Sequence, residues 1–370
     1  MRPVALDVFC GAGGITEGLR AAGFDVRLAL DSDLYSYMIY TQNHRETPVL
    51  WQDVSKLRKL EPVLRTVGVR KSQVLLIAGG PPCQGFSSAN RRTNHSSNTH
   101  NTMVGHFLRL VGEIRPRAVV LENVEGLAAF DGGRTLDAIL DRLERLGYAA
   151  ETRTLNAADY GIPQMRRRLF VVATAGGTFQ WPRKTHGPGT PRPWVTVADA
   201  ILGDLPLLNG SAGERLMSYS GPPVSDYQRF VRGRGSILRD HVTTTSGESV
   251  KKRFALVPPG SGLFYVQRDG GVPPSLRIGI GQQGVYRRLS PRAPSLTVTN
   301  VSRSLIIHPR ENRILSLREA ARLQSFADRY RFAGSISKMQ QLIANAVPPS
   351  LARAVGASLR RSLMNGDNVY

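Results

Sequence analysis

The sequence predicts an α/β fold with a mostly parallel sheet and a second, smaller, irregular domain. Two observations predict it. Near-continuous apolar runs, typical of buried parallel strands, alternate with amphipathic helical segments through the first half of the chain. From Trp181 to about Ser290 the alternation stops, and Gly, Pro, Ser and Arg dominate. A chain of 370 residues with 41% hydrophobic content is long enough to bury a large core and a smaller one.

The charge balance predicts a polyanionic partner. Lys and Arg total 49 against 28 Asp and Glu, a formal net charge of +21. Nucleic acid is the first choice because neutralising phosphates supplies sequence-independent affinity, and a merely soluble basic surface is the alternative. No membrane span or signal peptide is expected, because no run of 18 apolar residues occurs. With two cysteines no disulfide framework is expected, and this favours a protein of the reducing cytoplasm. If the partner is DNA, the protein would be associated with the nucleoid.

The first strand, residues 3–9, leads into a glycine-rich turn and then a helix that Gly23 ends. Gly11, Gly13 and Gly14 let a ligand approach the backbone closely at a helix N-terminus, although their spacing departs from G-x-G-x-x-G. The next strand, residues 26–30, ends at Asp31, about 20 residues beyond the first glycine, where Rossmann-like folds bind ribose hydroxyls. The pattern therefore predicts a nucleoside-containing cofactor. The alternative is that Asp31 is an exposed turn acid or an N-cap of the helix beginning near Asp33.

A short third strand is expected at residues 48–50, with Asp53 just beyond it. This position suits contact with an adenine, and an ordinary Asp-capped turn is the competing interpretation.

The stretch GGPPCQGFS, residues 79–87, comes directly after an apolar strand at residues 74–78. The glycines allow a sharp turn and the prolines stiffen the backbone beside the cysteine, so Cys83 is presented as a nucleophile. A small buried cysteine that only fills space is the alternative, which the two prolines disfavour. The polar, aperiodic residues 87–102 then predict a functional lid, with a disordered segment as the alternative.

A helix at residues 103–114 precedes a strand at residues 118–124, and the strand carries Glu122 near its end. A right-handed βαβ connection places this strand in the same sheet as the strand before Cys83. We therefore expect Cys83 and Glu122 to meet at one sheet edge, where the Gly11 turn also opens.

An amphipathic helix at residues 136–146 precedes two strands, residues 151–155 and 166–172, which look like an antiparallel pair at the sheet edge. Three arginines begin the second strand. Alternation sends Arg166 and Arg168 to one face and Arg167 to the other, so the first two could point into a cleft together. A solvated basic edge is the alternative.

The irregular region carries many basic residues with Tyr227, Phe230 and Phe254 interleaved, which fits either a nucleic-acid surface or a solvated one. Ser316 and Glu319 then have capping-box spacing at the start of a helix. A final amphipathic helix after residues 345–349 (NAVPP) is expected to return to the main sheet.

Six blocks, in this order, make the chain resemble the DNA (cytosine-5) methyltransferases of bacterial type. They are D-x-F-x-G-x-G-G at residues 7–14, PPCQ at 81–84, ENV at 122–124, Q-x-R-x-R at 164–168, REAARLQ at 318–324 and N-x-V-P-P at 345–349. The resemblance implies a Rossmann-like S-adenosylmethionine-dependent methyltransferase sheet. It also implies a catalytic and cofactor-binding domain at residues 1–182, a target recognition domain at 183–300, and a connecting helix and C-terminal helix at 301–370.

The resemblance implies a sequence-specific enzyme that methylates C5 of a cytosine flipped out of duplex DNA. Because C5 is a weak nucleophile, a covalent catalyst must first add at C6, and Cys83 is the thiol presented for this step. Glu122 would act at N3, and Arg168, with Arg166 second, would hold the cytosine O2 or orient Glu122. The expected contacts with S-adenosylmethionine are Asp7, Phe9, Gly11, Gly13, Gly14, Asp31, Asp53, Pro81, Asn345 and Val347. The expected contacts with DNA are Gln84, Ser87, Arg91 and Arg92.

No metal ion is expected. The enzyme is expected to act as a monomer, and a cognate restriction endonuclease would act separately. Two departures from the family pattern stand out: Ala344 replaces a glycine and could tighten a turn, and Ser32 stands where an aromatic often covers the adenine. A tRNA cytosine-5 methyltransferase and a non-catalytic DNA-binding relative remain alternatives, whereas the off-pattern glycines and the thiol disfavour a nicotinamide oxidoreductase.

Overall fold

The computed structural model of the chain describes residues 2–82, 100–299 and 304–365. Internal contacts divide the chain into two compact units. The first comprises Met1–Asn156, Arg167–Arg183 and Val347–Tyr370, and the second comprises Ala157–Arg166 and Lys184–Ala346. The role of residues 183–300 in target recognition stays a prediction.

The first unit is built on a seven-stranded sheet. Its strands are β1 (Val4–Val8), β2 (Asp25–Asp31), β3 (Val49–Trp51), β4 (Val74–Gly79), β5 (Ala118–Val124), β6 (Ala149–Asn156) and β7 (Arg167–Thr174). Their order across the sheet is β3-β2-β1-β4-β5-β7-β6. The first five strands are parallel, and β7 runs antiparallel to both β5 and β6. The predicted α/β class, the neighbouring β4 and β5 and the antiparallel pair at one edge are therefore confirmed.

Within the described residues, five α-helices connect these strands: α1 (Gly14–Ala21), α2 (Leu34–Asn43), α3 (Glu61–Thr66), α4 (His100–Ile114) and α5 (Arg134–Arg145). Helix α4 begins three residues before the predicted residue 103, so the last residues of the proposed lid, 100–102, are helical. The apolar faces of α4 and α5 join the strands in one buried core that includes Leu6, Ile77, Phe107, Leu121 and Leu143. This core fixes the carboxyl ends of β1, β2, β4 and β5 along one edge of the sheet.

The second unit is assembled from short elements. The helices that the structure describes in full there are α6 (Val197–Ile201), α7 (Asp226–Arg232), α8 (Glu248–Leu256), α9 (Leu263–Arg268), α10 (Ile280–Gln283), α11 (Leu317–Leu323) and α12 (Ile336–Asn345). Its strands form two ribbons, β8 (Gly213–Ser218) with β9 (Ile237–Val242) and β10 (Arg287–Arg288) with β11 (Ile306–Ile307). The capping box predicted at Ser316 and Glu319 is confirmed at the start of α11.

Helix α13 (Pro349–Asn365) comes last and belongs to the first unit. It packs closely against α1, since a Cβ on Gly18 would lie 2.4 Å from the Cβ of Ala352. Gly356 on α13 has the matching role, because a Cβ there would lie 3.0 Å from Leu19. In the parts of the chain that the structure describes, no helix is long and apolar enough to cross a membrane.

Buried arginines hold α11 within the second unit. The guanidinium of Arg322 donates to both carboxylate oxygens of Asp204, at 2.7 and 2.8 Å, and to both of Asp328, at 3.0 and 2.6 Å. Arg318, from the same helix, donates to the backbone carbonyls of Arg239, Ala327 and Tyr330. These bonds satisfy charges that would otherwise be costly to bury.

A buried acid ties β1 to α1 and α2. Asp7 is fully buried, and its Oδ2 accepts the backbone N–H of Thr16 at 3.1 Å and the Thr16 hydroxyl at 2.7 Å. The Thr16 hydroxyl also lies 2.8 Å from the phenol oxygen of Tyr40 on α2. Burial raises the pKa of Asp7 from 3.8 to about 7. The carboxyl is thus easier to keep in its neutral form in the folded protein.

This carboxyl should make stability pH-dependent. The folded protein holds the Asp7 proton up to about pH 7, whereas the unfolded chain releases it near pH 4, so stability is lost as pH rises through this window. Each unit of pKa difference corresponds to about 1.4 kcal/mol. Urea unfolding of wild type and Asp7→Asn from pH 4 to 8 should show the unfolding free energy of the variant rising relative to wild type across this window. The amide can still accept from Thr16 and does not ionise.

A matched control is Asp25→Asn, on β2, whose carboxylate is 41% exposed and lies 3.5 Å from Arg27. That variant should keep the wild-type dependence between pH 4 and 7, because the buried carboxyl is still present. Parallel curves for Asp7→Asn and wild type would contradict the assignment.

Candidate active site

The glycine turn after β1 leaves open space at the sheet edge. Gly11 and Gly13 adopt φ of +53° and +79°, which side chains rarely tolerate, and Gly13 caps the N-terminus of α1. A Cβ on Gly11 would meet no heavy atom within 4 Å among the described residues. The turn thus offers backbone and space, as a ligand-binding turn needs. Gly14 is the first helical residue, and Phe9 packs against the main core.

Asp31 lies beside this turn. Its Oδ2 accepts the N–H of Gly11 at 2.8 Å, and its Oδ1 accepts the N–H of Asp33 at 2.8 Å. Burial raises the pKa of Asp31, and these two N–H groups oppose the shift. The N-cap of α2 is Asp33, which accepts from the N–H of Ser36. The alternative that Asp31 caps this helix is therefore wrong.

These residues fit a nucleoside cofactor. A carboxylate oxygen can accept more than one hydrogen bond, so Asp31 can still accept from ribose hydroxyls while it holds Gly11. The donor and acceptor set at the edge, an acid at the end of β2 beside a glycine turn, is the one that Rossmann-like folds use.

Asp53 forms the turn that was the competing interpretation. Its Oδ1 accepts the hydroxyl of Ser55 at 2.7 Å and the N–H of Ser55 at 2.8 Å, and these bonds lower the pKa of Asp53. The strand before it was predicted at residues 48–50 and lies one residue later, since β3 runs from Val49 to Trp51. Adenine binding by Asp53 stays a prediction.

Cys10 is a poor nucleophile in this position. It is buried, and burial raises the pKa of its thiol well above the usual value, as do the nearby Asp31 and Asp7. The thiolate is the reactive form of cysteine, so the Cys10 thiol is held in its inert form. Of the two cysteines in the sequence, Cys83 remains as the candidate nucleophile.

Glu122 and Arg168 form an ion pair at the edge of the sheet. Arg168 Nε lies 3.1 Å from Glu122 Oε1, with side chains only 15% and 9% exposed. The antiparallel pairing of β5 with β7 places Arg168 opposite Val124, two residues from Glu122 on the same face. Arg168 also donates to the carbonyl of Arg167 at 2.7 Å, which helps to fix its position.

The segment that leads to Cys83 is held against the same strand. A Cβ on Gly80 would lie 3.1 Å from Glu122 Oε2, so glycine there leaves room for the carboxylate. Asn123 donates through its side-chain amide to the carbonyl of Pro81 at 3.3 Å. Pro81 is buried and Pro82 is exposed, which brings the chain to the surface directly before Cys83.

Alternation places Arg167 and Arg168 on opposite faces of β7 as predicted, although the strand begins at Arg167 and not at residue 166. Arg167 points away from Glu122 and binds Glu125 at the surface, with its Nε 2.9 Å from Oε2. Arg166 belongs to the second unit, where it is 1% exposed and donates to the carbonyl of Ala346 at 3.0 Å. A shared direction for Arg166 and Arg168 stays a prediction.

The second unit holds Asn345, and the first unit holds Val347. Asn345 is the exposed last residue of α12, and Val347 is buried. Ala344 lies inside α12, where its carbonyl accepts from Gln324 at 3.3 Å. The expectation of a tighter turn at Ala344 is therefore wrong, since alanine favours a helix.

Several predicted residues lie outside the described ones: Cys83, Gln84, Ser87, Arg91 and Arg92. Their assignments stay predictions. Two aromatic residues of the basic region are core residues, since Phe254 is fully buried and Tyr227 donates its hydroxyl to the carbonyl of Arg322 at 2.6 Å. Of these three aromatics, Phe230 alone is exposed, at 55%, and could contribute to a surface that binds nucleic acid.

Sequence reasoning missed Trp51 and Thr16. Trp51 ends β3 with its indole exposed, one residue past the predicted strand. Thr16 links Asp7 to Tyr40, and only the helical spacing from Gly13 could have indicated that it faces β1.

Comparison with known proteins supports one family. A family model for C-5 cytosine-specific DNA methylases matches residues 4–361. The Type II methyltransferase M.AgeI of Thalassovita gelatinovora is 34% identical, over 96% of this chain and 98% of its own. The Type II methyltransferase M1.HphI of Haemophilus parahaemolyticus is 33% identical, over 97% of this chain and 87% of its own.

Solved structures show the same fold. A protein described as a DNA modification methyltransferase encoded within an E. coli prophage superposes with a TM-score of 0.77 at 24% identity, covering 98% of this chain and 99% of that one. The Dnmt2 methyltransferase of S. pombe gives a TM-score of 0.58 at 17% identity, over 100% of both chains. Because the family model spans nearly the whole sequence and the curated relatives exceed 30% identity, the chain belongs to the C-5 cytosine-specific DNA methylases.

Proposed function

We propose that this DNA (cytosine-5)-methyltransferase transfers a methyl group from S-adenosylmethionine to a cytosine flipped out of duplex DNA, through a transient bond between Cys83 and C6. One observation carries the proposal. The Glu122–Arg168 pair, at 3.1 Å, lies at the sheet edge where Pro81 and Pro82 lead into Cys83. Glu122 and the segment that leads to Cys83 thus lie at the carboxyl ends of the neighbouring strands β5 and β4, and Arg168 lies at the start of the antiparallel strand β7.

The residues for the cofactor lie along the same edge. Gly11, Gly13 and Gly14 would accommodate S-adenosylmethionine against the backbone, and Asp31 would accept from its ribose hydroxyls. When bound there, the cofactor supplies an electrophilic methyl group. The open space at Gly11 and the hydrogen bond from Gly11 to Asp31, at 2.8 Å, support this assignment.

Cys83 would supply the nucleophile. Its thiolate would donate an electron pair to C6 of cytosine, and the π electrons of the 5,6 double bond would move toward C5, which then becomes nucleophilic. The buried Cys10 does not compete, because the raised pKa of its thiol keeps the proton on sulfur. After C5 has accepted the methyl group, a base would remove the C5 proton, the 5,6 double bond would re-form and the Cys83 thiolate would leave C6.

Glu122, in its protonated form, would donate a proton or a strong hydrogen bond to N3 while charge develops on the ring. Arg168 fixes the carboxylate through Oε1, and Oε2 faces Gly80. A group held in place by a partner costs less reorganisation when the reaction occurs. Arg168, with Arg166 second, would hold the cytosine O2 or orient Glu122.

Duplex DNA is the proposed substrate, and the target base must leave the helix to reach Cys83, at a cost of a few kcal/mol. The curated relatives are named Type II methyltransferases, which supports a place in restriction and modification. We propose that the enzyme acts as a monomer, and that any cognate endonuclease acts separately. Residues 183–300 would read the target sequence.

Replacement of the thiol tests the function. Cys83→Ser should reduce methyl transfer from labelled S-adenosylmethionine to background, because a serine hydroxyl is a much weaker nucleophile, while binding to duplex DNA persists. The matched variant Cys10→Ala should retain turnover. Duplex DNA and tRNA should be compared as substrates, and preferential methylation of tRNA, or turnover by Cys83→Ser, would contradict the proposal.

Replacement of the acid tests the role of the buried pair. Glu122→Gln should lower kcat by about 10²- to 10⁴-fold, because the amide cannot supply the proton that N3 needs. The Kd for DNA and for S-adenosylhomocysteine should change little.

Glu125→Gln is the matched control, since Glu125 pairs with Arg167 in the same way but at the exposed surface. It should leave kcat near the wild-type value. Equal loss of kcat in Glu122→Gln and Glu125→Gln would show that the effect is structural rather than catalytic.

A further inference from the structure

Trp51 presents an exposed indole at the ligand edge of the sheet. It is the last residue of β3 and pairs with Asp31 in the parallel register of β2 and β3. The residue is 54% exposed, although tryptophan carries one of the largest apolar surfaces of any side chain. The carboxyl ends of the strands are where open α/β sheets bind their ligands, so the indole lies at the edge where a ligand is expected.

Two contacts fix the indole beside Asp31. The indole N–H donates to the carbonyl of Ser32 at 2.9 Å, and Ser32 is the residue directly after Asp31. The ring of Tyr37, on α2, lies 6.2 Å from the indole centroid at an interplanar angle of 32°. The indole is therefore preorganised, so little rotamer entropy remains to be lost when a ligand binds.

The chemistry of the neighbouring acid identifies the ligand. A carboxylate at the end of the second strand binds ribose hydroxyls in this class of fold. The base is bonded directly to that ribose, so it must lie next to the ribose site at Asp31. A flat aromatic face anchored at the carbonyl next to Asp31 suits a purine, because stacking on an aromatic ring needs no particular pattern of donors.

We propose that Trp51 stacks on the adenine ring of S-adenosylmethionine, so that β3 supplies the aromatic surface that the small side chain of Ser32 cannot. The inference rests on the cofactor assignment made above and adds a binding residue to it. The stacking role also explains why a serine can stand at position 32, where the family often has an aromatic. The Ser32 carbonyl anchors the indole of Trp51, and the Ser32 side chain is not required.

A protein-docking patch is the competing use of this surface. Leu34 and Met38, both on α2, are 42% and 38% exposed. The anchor favours the nucleoside, because the indole is tied to the backbone next to Asp31.

Fluorescence and calorimetry test the proposal in the DNA-free enzyme. The sequence has three tryptophans, so S-adenosylhomocysteine should quench the emission of wild type and of Trp181→Phe, but not of Trp51→Phe. In isothermal titration calorimetry, Trp51→Ala should raise the Kd for S-adenosylhomocysteine by about tenfold or more. Trp51→Phe, which keeps a ring, should stay within about threefold of wild type. Met38→Ala should keep the wild-type Kd.

The outcomes separate this proposal from the function. If wild type and Trp51→Ala bind S-adenosylhomocysteine equally, the stacking role is overturned and the methyltransferase assignment stands. Equal losses in Met38→Ala and Trp51→Ala would also overturn it, since the whole patch would then act alike. Failure of wild type to bind S-adenosylhomocysteine would overturn both the cofactor assignment and the stacking role. Thermal unfolding of each variant near the wild-type Tm establishes that the change is local.

Discussion

The parallel pairing of β4 with β5 is the constraint on which the candidate site depends. Gly79 pairs with Leu121, so Glu122 and Gly80 are the next residues on each strand. The glycines make this approach feasible. A Cβ on Gly79 would lie 2.3 Å from the carbonyl oxygen of Val8, and one on Gly80 would lie 3.1 Å from Glu122 Oε2. The backbone that leads to Cys83 is therefore fixed by strand packing before any ligand binds.

Several arginines of the second unit are buried and bind groups in its interior. Arg288, for example, donates to the carbonyls of Val257, Phe254 and His308. Arg313 binds Glu319 through two bonds of 2.7 Å. Burial alone would raise the pKa of Glu319, but Arg313 and His308 together lower it below its usual value. A count of charges in the sequence thus overstates how many arginines can contact phosphate.

The sequence predicted the features that depend on local pattern or on chain topology. The buried strands, the capping box at Ser316 and the adjacency of β4 and β5 result from apolar runs, spacing and the handedness of βαβ units. Features set by tertiary contacts were missed. Tyr227 and Phe254 looked like surface aromatics because nothing local shows that α11 and the β10 segment cover them. The proposed stacking role of Trp51 depends on the hydrogen bond from its indole to the carbonyl of Ser32, nineteen positions away in the chain.

Trapping on an oligonucleotide that contains 5-fluorocytosine tests the covalent step most directly. Fluorine replaces the C5 hydrogen that a base must remove as a proton. The enzyme should therefore stay attached to the base after addition and methyl transfer. With S-adenosylmethionine present, we expect a complex that survives denaturation and whose modified peptide contains Cys83. The absence of such a complex, or its attachment at any other side chain, would contradict the account.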